Sequence, residues 1–254
     1  MTNDENIIIV NDGQVTKQNL SPAFAGVLIE KTAKGLQIHI PANKIIPAPL
    51  IMVYQGEKSL SFVTDVKVEG DSCFELAQLI LHEGIINIEN TVALLRAGAN
   101  AKVKTIALAT HAQEQEITTK VTNHAPHTAG DIVNYGVVKH EARLVFNGIG
   151  KVDRGAHEAQ AFQESRGMIL SENAHMEANP QLLIDEYDVK AGHGASIGQI
   201  DEEQLYYLMS RGLTYEEAET LIIHGFLIPF ISELKNETLR QQLLDSVTSR
   251  VGAS

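Results

Sequence analysis

Short apolar runs, separated by polar, glycine or proline breaks, dominate the chain as far as Thr110. Ile7–Val10, Leu36–Ile40 and Phe62–Val68 are rich in β-branched residues or alternate between apolar and polar positions, which predicts β-strands. Leu76–Leu81 and Val92–Leu95 fit a strand or a helix equally well. Helical periodicity is otherwise weak, so the pattern favours a β-rich fold in this half of the chain.

From about residue 111 to residue 200 the sequence contains a repeat centred on histidine. Apolar clusters such as Met168–Leu170 and Leu182–Ile184 separate the copies. A repeat this short cannot enclose its own core, so we expect the copies to stack as coils of a parallel β-solenoid. Side chains at equivalent positions would then form columns with a spacing of about 4.8 Å. The candidates for one column, which recur at nearly even intervals, are His124, His140, His157, His175 and His193.

The pattern changes at residue 201, where signals of helix initiation begin. Asp201–Gln204 and Thr214–Glu217 have the spacing of capping boxes, and Asn236 is placed to cap a third helix. Pro229 is expected to end or kink the second helix. We therefore predict three parts, which are a β-rich lead-in at 1–58, a β-helix core at 59–200 and a helical subdomain at 201–254.

Charge and cysteine content argue against several classes of function. The formal net charge of −12 disfavours binding to nucleic acid or to an anionic membrane, since both need an excess of Lys and Arg. The single cysteine, Cys73, cannot form an intramolecular disulfide or by itself build a Cys-rich zinc or iron–sulfur site. We find neither a signal peptide nor an apolar run of membrane-spanning length, and therefore expect a cytoplasmic protein.

Several motifs in the second half of the chain resemble those of one protein family. Asp188–Gly198 is similar to the acidic-Val-Lys-Cys-x-His-Gly-Ala-Thr-Val-Gly stretch of the SufB/SufD family of iron–sulfur cluster assembly proteins. Leu205–Leu213 resembles the family's Leu-Phe-Tyr-Leu-x-Ser-Arg-Gly-Ile stretch, and Phe146–Gly150 and Arg166–Pro180 resemble elements further upstream. The resemblance covers roughly residues 110–250 and is closer to SufD than to SufB.

This resemblance implies a right-handed parallel β-helix followed by a C-terminal helical subdomain. It also implies a non-catalytic scaffold subunit that pairs with a SufB-like subunit, or with a second copy of itself, and that binds a SufC-like ABC ATPase. Iron–sulfur clusters would assemble transiently at the interface with the SufB-like partner, and the chain alone would bind none stably. The family's N-terminal helical region is missing, which we interpret as a compact or shortened member.

The resemblance also identifies the candidate cluster site. Ala191 stands where many SufD sequences have a cysteine, and Ser165 lies near the position of the cysteine that is proposed to hold the cluster in SufB. Iron ligation by sulfur needs a thiolate, so this chain resembles the SufD partner. His193 matches the family histidine that faces the partner's cluster site, and is our candidate ligand. The alternative is that His193 is the last structural rung of the histidine column.

The helical subdomain is the predicted binding surface for the ATPase. Its large apolar residues exceed what a three-helix tail can enclose, so we expect some of them to contact a partner. The candidates, which include one arginine of the matching motif, are Leu205, Tyr206, Leu208, Arg211, Ile222 and Phe226.

Other residues give weaker signals. Pro126 argues against a helical metal pair of His124 and His127, and Cys73 is expected to be a buried, inert thiol. We predict no catalytic residues, because neither a serine–histidine–acid arrangement nor a phosphate-binding glycine loop is present. Cofactor-binding residues stay unknown.

Two further functions stay open. One is a purely structural solenoid, and the other is a hexapeptide-repeat acyltransferase, whose turns Val189–Gly198 resembles.

Overall fold

The computed structural model describes residues 6–232 and 237–251. The strands in these residues are β1 (Asn6–Asn11), β2 (Gln14–Asn19), β3 (Leu28–Lys31), β4 (Gly35–Ile40), β5 (Leu50–Gln55), β6 (Leu60–Val68), β7 (Cys73–Ile80), β8 (Ile86–Leu94), β9 (Asn100–Ala109), β10 (Glu114–Asn123), β11 (Ala129–Val138), β12 (Arg143–Val152), β13 (Ala159–Ile169), β14 (His175–Ile184) and β15 (Val189–Gln199). The helices are α1 (Glu202–Ser210), α2 (Tyr215–Ile231) and α3 (Glu237–Val251), and a short 3-10 helix lies at Pro22–Phe24. None of these helices is long and apolar enough to cross a membrane.

The strands form two sheets that face each other. Sheet A has the order β15-β13-β11-β9-β7-β5-β1-β2, and sheet B has the order β14-β12-β10-β8-β6-β4-β3. The chain alternates between the sheets, and neighbouring strands are parallel except in the pairs β1–β2 and β3–β4. This arrangement confirms the predicted parallel β-helix with a C-terminal helical segment.

One turn of the β-helix is about twice as long as the sequence repeat indicated. Glu114 on β10 pairs with Arg143 on β12, and Arg143 pairs with His175 on β14, so the chain passes through a strand of sheet A before it returns to sheet B. The predicted coil of one histidine-centred repeat is therefore wrong, because each repeat supplies one strand and one corner, and a turn needs two strands. Turns of this length, built on two sheets, also argue against the hexapeptide-repeat alternative.

The predicted histidine column is wrong for the same reason. His124 follows β10 of sheet B, whereas His140 follows β11 of sheet A, so consecutive copies lie at different corners. The histidines that do contact each other are separated by a full turn. The ring centroids of His111 and His140 are 4.9 Å apart, and those of His127 and His157 are 5.5 Å apart.

The two sheets extend across the boundary that we expected at residue 59. β5 pairs in parallel with β1 and β7, and β4 pairs in parallel with β6. Leu50–Tyr54 is buried along its whole length, because its inward side chains enter the core between the sheets and its outward ones lie under the helical segment. The lead-in is therefore the first part of the β-helix rather than a separate unit.

A polar layer crosses the otherwise apolar interior. The carboxamides of Gln78 on sheet A and Asn90 on sheet B form two reciprocal hydrogen bonds of 2.8 and 3.0 Å. Gln78 also donates to the Tyr54 hydroxyl at 3.0 Å, and Asn90 donates to Thr119 Oγ1 at 3.1 Å. Burial raises the pKa of the Tyr54 hydroxyl, which stays neutral. Because an unpaired buried amide costs about 1–3 kcal/mol, these pairs favour one register of the stacked turns.

One corner repeats a left-handed backbone conformation in successive turns. The residues with positive φ at this corner are Asn43, Asp71, Gly98, His127 and Glu158. Several of them donate their backbone N–H to a carbonyl in the next turn, for example His127 to His157 at 3.0 Å. The left-handed region is comfortable for glycine, tolerated by Asn and Asp, and less favourable for other residues.

The first end of the β-helix is covered by the chain itself. The antiparallel hairpins β1–β2 and β3–β4 occupy the positions that a further turn would take. Between them, the 3-10 helix places the buried ring of Phe24 against the interior. Strands β2 and β3 are mostly exposed and polar, so this end of the molecule needs no partner to bury its core.

The helical segment begins as the sequence predicted. The Asp201 carboxylate accepts the backbone N–H groups of Glu203 and Gln204, and Thr214 forms a complete capping box with Glu217. Pro229 was expected to end or kink α2; the helix continues past it and ends two residues later, at Ile231. The predicted cap at Asn236 lies outside the described residues.

These helices pack on the outer face of sheet A. Leu227, Leu243 and Val247 are fully buried with sheet residues such as Leu79 and Ile106. The fully buried Glu219 carboxylate pairs with Lys139 Nζ at 2.9 Å. Further along, the Arg250 guanidinium donates to the carbonyls of Leu81 and His82. The tail is thus a cover for the solenoid as well as a separate set of helices.

Two substitutions at the left-handed corner should have opposite effects. Glu158→Gly removes a side chain from an unfavourable φ of 56° and should stabilise the protein by about 0.5–1 kcal/mol. Gly98→Ala should destabilise it by more than about 1 kcal/mol, since its Cβ would lie 2.3 Å from Asp71 Oδ1. Urea unfolding of both variants measures the change in the free energy of unfolding. Changes of the same sign would contradict the importance of a left-handed backbone at this corner.

Removal of residues 201–254 should leave the solenoid insoluble or aggregation-prone. The deletion exposes the apolar outer face of sheet A, where each fully buried Leu or Ile contributes about 1.5–3 kcal/mol. Size-exclusion chromatography and circular dichroism of the truncated chain measure the effect. A soluble monomer with an unchanged β-sheet signal would show that the helices are dispensable for the solenoid.

Candidate functional site

The second end of the β-helix is not covered by any described part of the chain. β14 and β15 are the edge strands of sheets B and A, and no further turn follows them. We call this surface the open end and define it by the inward-facing residues of its two strands. These residues are Met176, Ala178, Pro180, Leu182, Val189, Ala191, His193, Ala195 and Ile197.

Apolar side chains that would be buried in any earlier turn are partly solvent-accessible at the open end. Leu182 and Val189 are half-buried, and Ala195 is exposed. Around the rim, Leu183 is 46% exposed and Tyr187 is fully exposed. Exposed apolar residues gathered at one end of a folded protein favour contact with another molecule.

His193 is the one ionisable side chain among the inward-facing residues of the open end. Successive strands of sheet A pair His193 with a row of residues at equivalent positions. From the middle of the solenoid outward, these residues are Leu76, Val103, Ile132 and Gln163. The first three are buried core residues, which establishes that the row faces the interior. His193 thus lies at the last position of an interior row, where its imidazole is exposed only because no further turn covers it.

The glycines on either side of His193 leave the outer face of β15 bare. A Cβ on Gly194 would meet nothing within 4 Å, and one on Gly192 would touch only the Phe162 ring at 3.5 Å. The packing of this chain therefore does not require either glycine. Their effect is to leave the backbone of the edge strand accessible to close approach.

A groove with a volume of about 460 Å³ lies beside His193 on sheet A. Phe162, Lys102 and Asp131 line it together with Gly192 and Gly194. Burial raises the pKa of the Asp131 carboxyl, and the nearby charges of Lys102 and Lys104 oppose that shift. This groove thus carries charged groups of both signs across the outer face of sheet A, beside His193.

No thiol lies next to His193. Ser165, which we aligned near the SufB cysteine, is buried and accepts a hydrogen bond from Asn134 Nδ2 at 3.1 Å. Cys73 begins β7, four strands away from β15 in sheet A. The expectation that Cys73 is buried is wrong, because Cys73 lies at the exposed first position of its strand. Partial desolvation and the nearby charge of Glu75 raise the pKa of its thiol.

Among the described residues, no group of three or more His, Cys, Asp and Glu side chains is arranged to hold a metal ion. His124 and His127 do not form a pair: His124 Nδ1 contacts Asp153 at 2.6 Å, and His127 contacts Glu158 at 3.4 Å. The ring pairs His111–His140 and His127–His157 belong to the corners of the solenoid. His193 therefore stands apart from the other histidines of the repeat.

The six candidate ATPase-binding residues divide into two groups. Leu205 is buried, and Leu208, Ile222 and Phe226 pack partly against the cluster that joins the helices to sheet A. Tyr206 and Arg211 are exposed, with the Arg211 guanidinium 5.1 Å from the Tyr207 ring centroid. The excess of apolar residues that we assigned to a partner is therefore largely used against the sheet.

The exposed surface of α1 was only partly identified from the sequence. Tyr207 and Met209 are also exposed, and Tyr206 and Met209 line a cleft of about 350 Å³ between α1 and the last turn of the solenoid. Exposed and buried residues of α1 can be distinguished by their angular position around the helix relative to the buried Leu205. That angular position could be used only once Leu205 was known to face sheet A.

Comparisons with known proteins agree with the motifs. The family described as the SufBD core domain of SUF-system iron–sulfur cluster assembly matches residues 52–226. The iron–sulfur cluster assembly protein SufD of Bacillus subtilis (strain 168) is 45% identical over 181 residues, covering 71% of this chain and 41% of the relative.

More distant relatives carry the same description. SufD of Escherichia coli (strain K12) is 35% identical over 115 residues, covering 45% of this chain and 27% of the relative. A SufBD family protein of Staphylococcus epidermidis is 33% identical over 144 residues, covering 57% of this chain and 31% of the relative. The matched region spans less than half the length of each of these relatives.

Proposed function

Because this chain belongs to the SufBD core domain family, we propose that it is a cytoplasmic, non-catalytic scaffold subunit of a SUF-type iron–sulfur cluster assembly complex. In this proposal its open end pairs with a SufB-like subunit, or with a second copy of the chain. Its helices bind a SufC-like ATPase. Iron–sulfur clusters are transient cargo at the paired end, and neither nucleic acid nor a membrane is a partner.

The single observation that carries the proposal is the difference between the two ends of the solenoid. Hairpins and Phe24 bury the core at the first end, whereas the inward-facing rows of β14 and β15 have no cover in the described chain. The edge strands also present unpaired backbone N–H and C=O groups, which favour strand-to-strand association with a second protein. A matching solenoid end supplies both apolar cover and hydrogen-bond partners.

His193 is the residue that we propose to contact the cluster. A neutral imidazole nitrogen is a good ligand for iron, particularly beside a thiolate. The chain itself offers no thiol near His193, so the remaining ligands must come from the partner. This requirement explains why a cluster would form only in the paired complex and why the isolated chain should not retain one.

ATPase binding is proposed for the exposed residues of α1, principally Tyr206 and Arg211. Leu205 contributes indirectly by anchoring α1 in the cluster on sheet A. The buried contact of Glu219 with Lys139 fastens α2 to the corner that follows β11. Movement of the helices by a nucleotide-driven ATPase would therefore be transmitted to the solenoid and to its open end.

Substitution of His193 tests the cluster-binding role. His193→Ala should fold and assemble normally, because the side chain is exposed at the end of its row. In the reconstituted complex, however, cluster formation measured by iron and acid-labile sulfide content should fall at least severalfold. Unchanged cluster content would show that His193 has only a structural role at the end of its row.

A charge at the open end tests the pairing. Ala195→Lys should abolish association with the SufB-like partner, since the ammonium group would be buried against apolar residues at the interface. Ala33→Lys, at the exposed and chain-covered first end, is the matched control and should leave the association unchanged. Sedimentation velocity measures both, and equal behaviour of the two variants would move the interface elsewhere.

Two tyrosine substitutions separate the proposed surfaces. Tyr206→Asp should reduce co-purification of the ATPase while leaving the solenoid pairing intact. Tyr187→Asp, the same exchange at the rim of the open end, should have the reverse effect. Affinity capture of each partner checks the result, and loss of ATPase binding in both variants would argue against α1 as the docking element.

A further inference from the structure

Gln163 is a buried amide directly beneath the open end. The residue is 6% exposed, and its Nε2 donates to the backbone carbonyl of Gln181 on β14 at 2.7 Å. A backbone carbonyl can only accept, so this bond determines which way the carboxamide faces. Oε1 is then buried and has no hydrogen-bond partner among the described residues.

Two glycines of sheet B make room for this carboxamide. A Cβ on Gly148 would lie 2.4 Å from Gln163 Oε1, and a Cβ on Gly150 would lie 2.9 Å from Nε2. The carboxamide thus spans the interior from sheet A to sheet B, where only a strand without side chains at these positions can accept it. This packing accounts for the glycines of the Phe146–Gly150 motif.

The interior around the Gln163 carboxamide is largely apolar. Ala161 and Leu182, which lie near Gly150 as the Gln163 Nε2 does, offer no side-chain donor. The next member of the same inward-facing row is His193, which pairs with Gln163 in register. Adjacent parallel strands are about 4.8 Å apart, so His193 is the donor-bearing side chain next to Gln163 in this row.

We propose that Gln163 is a positioning residue for His193. Its Oε1 accepts the Nδ1–H of the neutral imidazole, which selects one tautomer and directs the unprotonated Nε2 toward the open end. Hydrogen bonds of this kind orient histidine ligands and make them more basic in metal sites. The orientation is a property of this chain alone, and only the use of Nε2 as a cluster ligand rests on the proposed function.

The test is a direct measurement of the tautomer. Long-range ¹H–¹⁵N spectra of the full chain, labelled with ¹⁵N-histidine and recorded where the imidazole is neutral, report which ring nitrogen carries the proton. His193→Gln identifies the signals by their loss. We expect the proton of His193 on Nδ1 in the wild-type chain, and a severalfold shift of the population toward Nε2 in Gln163→Met.

Two further variants separate positioning from a general structural effect. Gln160→Met makes the same exchange three positions earlier, on the exposed outer face of β13, and should leave the tautomer unchanged. Gly148→Ala displaces the carboxamide without altering Gln163 itself, and should reproduce the shift. The double variant with Gly148→Ala and Gln163→Met should show the same tautomer populations as Gln163→Met alone. A wild-type His193 with the same tautomer as Gln163→Met would overturn the proposal, and would indicate that water occupies the site.

Cluster formation in the reconstituted complex distinguishes this inference from the proposed function. If Gln163→Met changes the tautomer and lowers cluster content in parallel with His193→Ala, both stand. If the tautomer changes but neither variant affects cluster content, the positioning stands and the cluster role of His193 fails. If His193→Ala lowers cluster content but Gln163→Met changes neither the tautomer nor the content, the positioning role fails.

Discussion

A turn of a parallel β-helix can bury its inward-facing side chains only if another layer lies on each side of it. Every inner turn of this chain meets that condition through its neighbours, and the first turn meets it through two antiparallel hairpins and Phe24. The last turn does not meet it within the described chain. The exposed imidazole of His193, the edge strands and the apolar rim are all consequences of this one uncovered layer.

The outer face of sheet A has the same requirement, and the helical segment fulfils it. Most of the apolar residues of α2 and α3 are buried against the sheet. Glu219 and Arg250 add polar contacts in two different turns, at the corner where the chain leaves sheet A. The helices therefore combine a structural role with an exposed surface on α1. A large apolar content in a short helical tail is not, by itself, a sign of a partner, because the nearest sheet can absorb it.

Polar residues inside the solenoid limit how its turns can stack. A two-residue shift in register keeps apolar side chains on the buried face, whereas the reciprocal amide bonds of Gln78 and Asn90 exist only in one alignment. Gln163 fits between the glycines of β12 in the same manner. Such contacts contribute little net stability per bond but penalise every alternative in which the groups are left unpaired.

Local pattern was enough to predict many of the strands and the capping of α1 and α2, because each depends on residues close together in the chain. The parallel solenoid was predicted from the repeat and from the family resemblance instead. Contacts between distant residues decided the rest. The length of a turn depends on which strands pair, and so the predicted histidine column was wrong. The burial of Leu205 needs sheet A, and the role of Gln163 needs Gly148 on the opposite sheet. The sequence by itself thus determined the elements and the family of this protein. Only the tertiary structure decided which faces are covered, since burial is a property of paired surfaces and not of single segments.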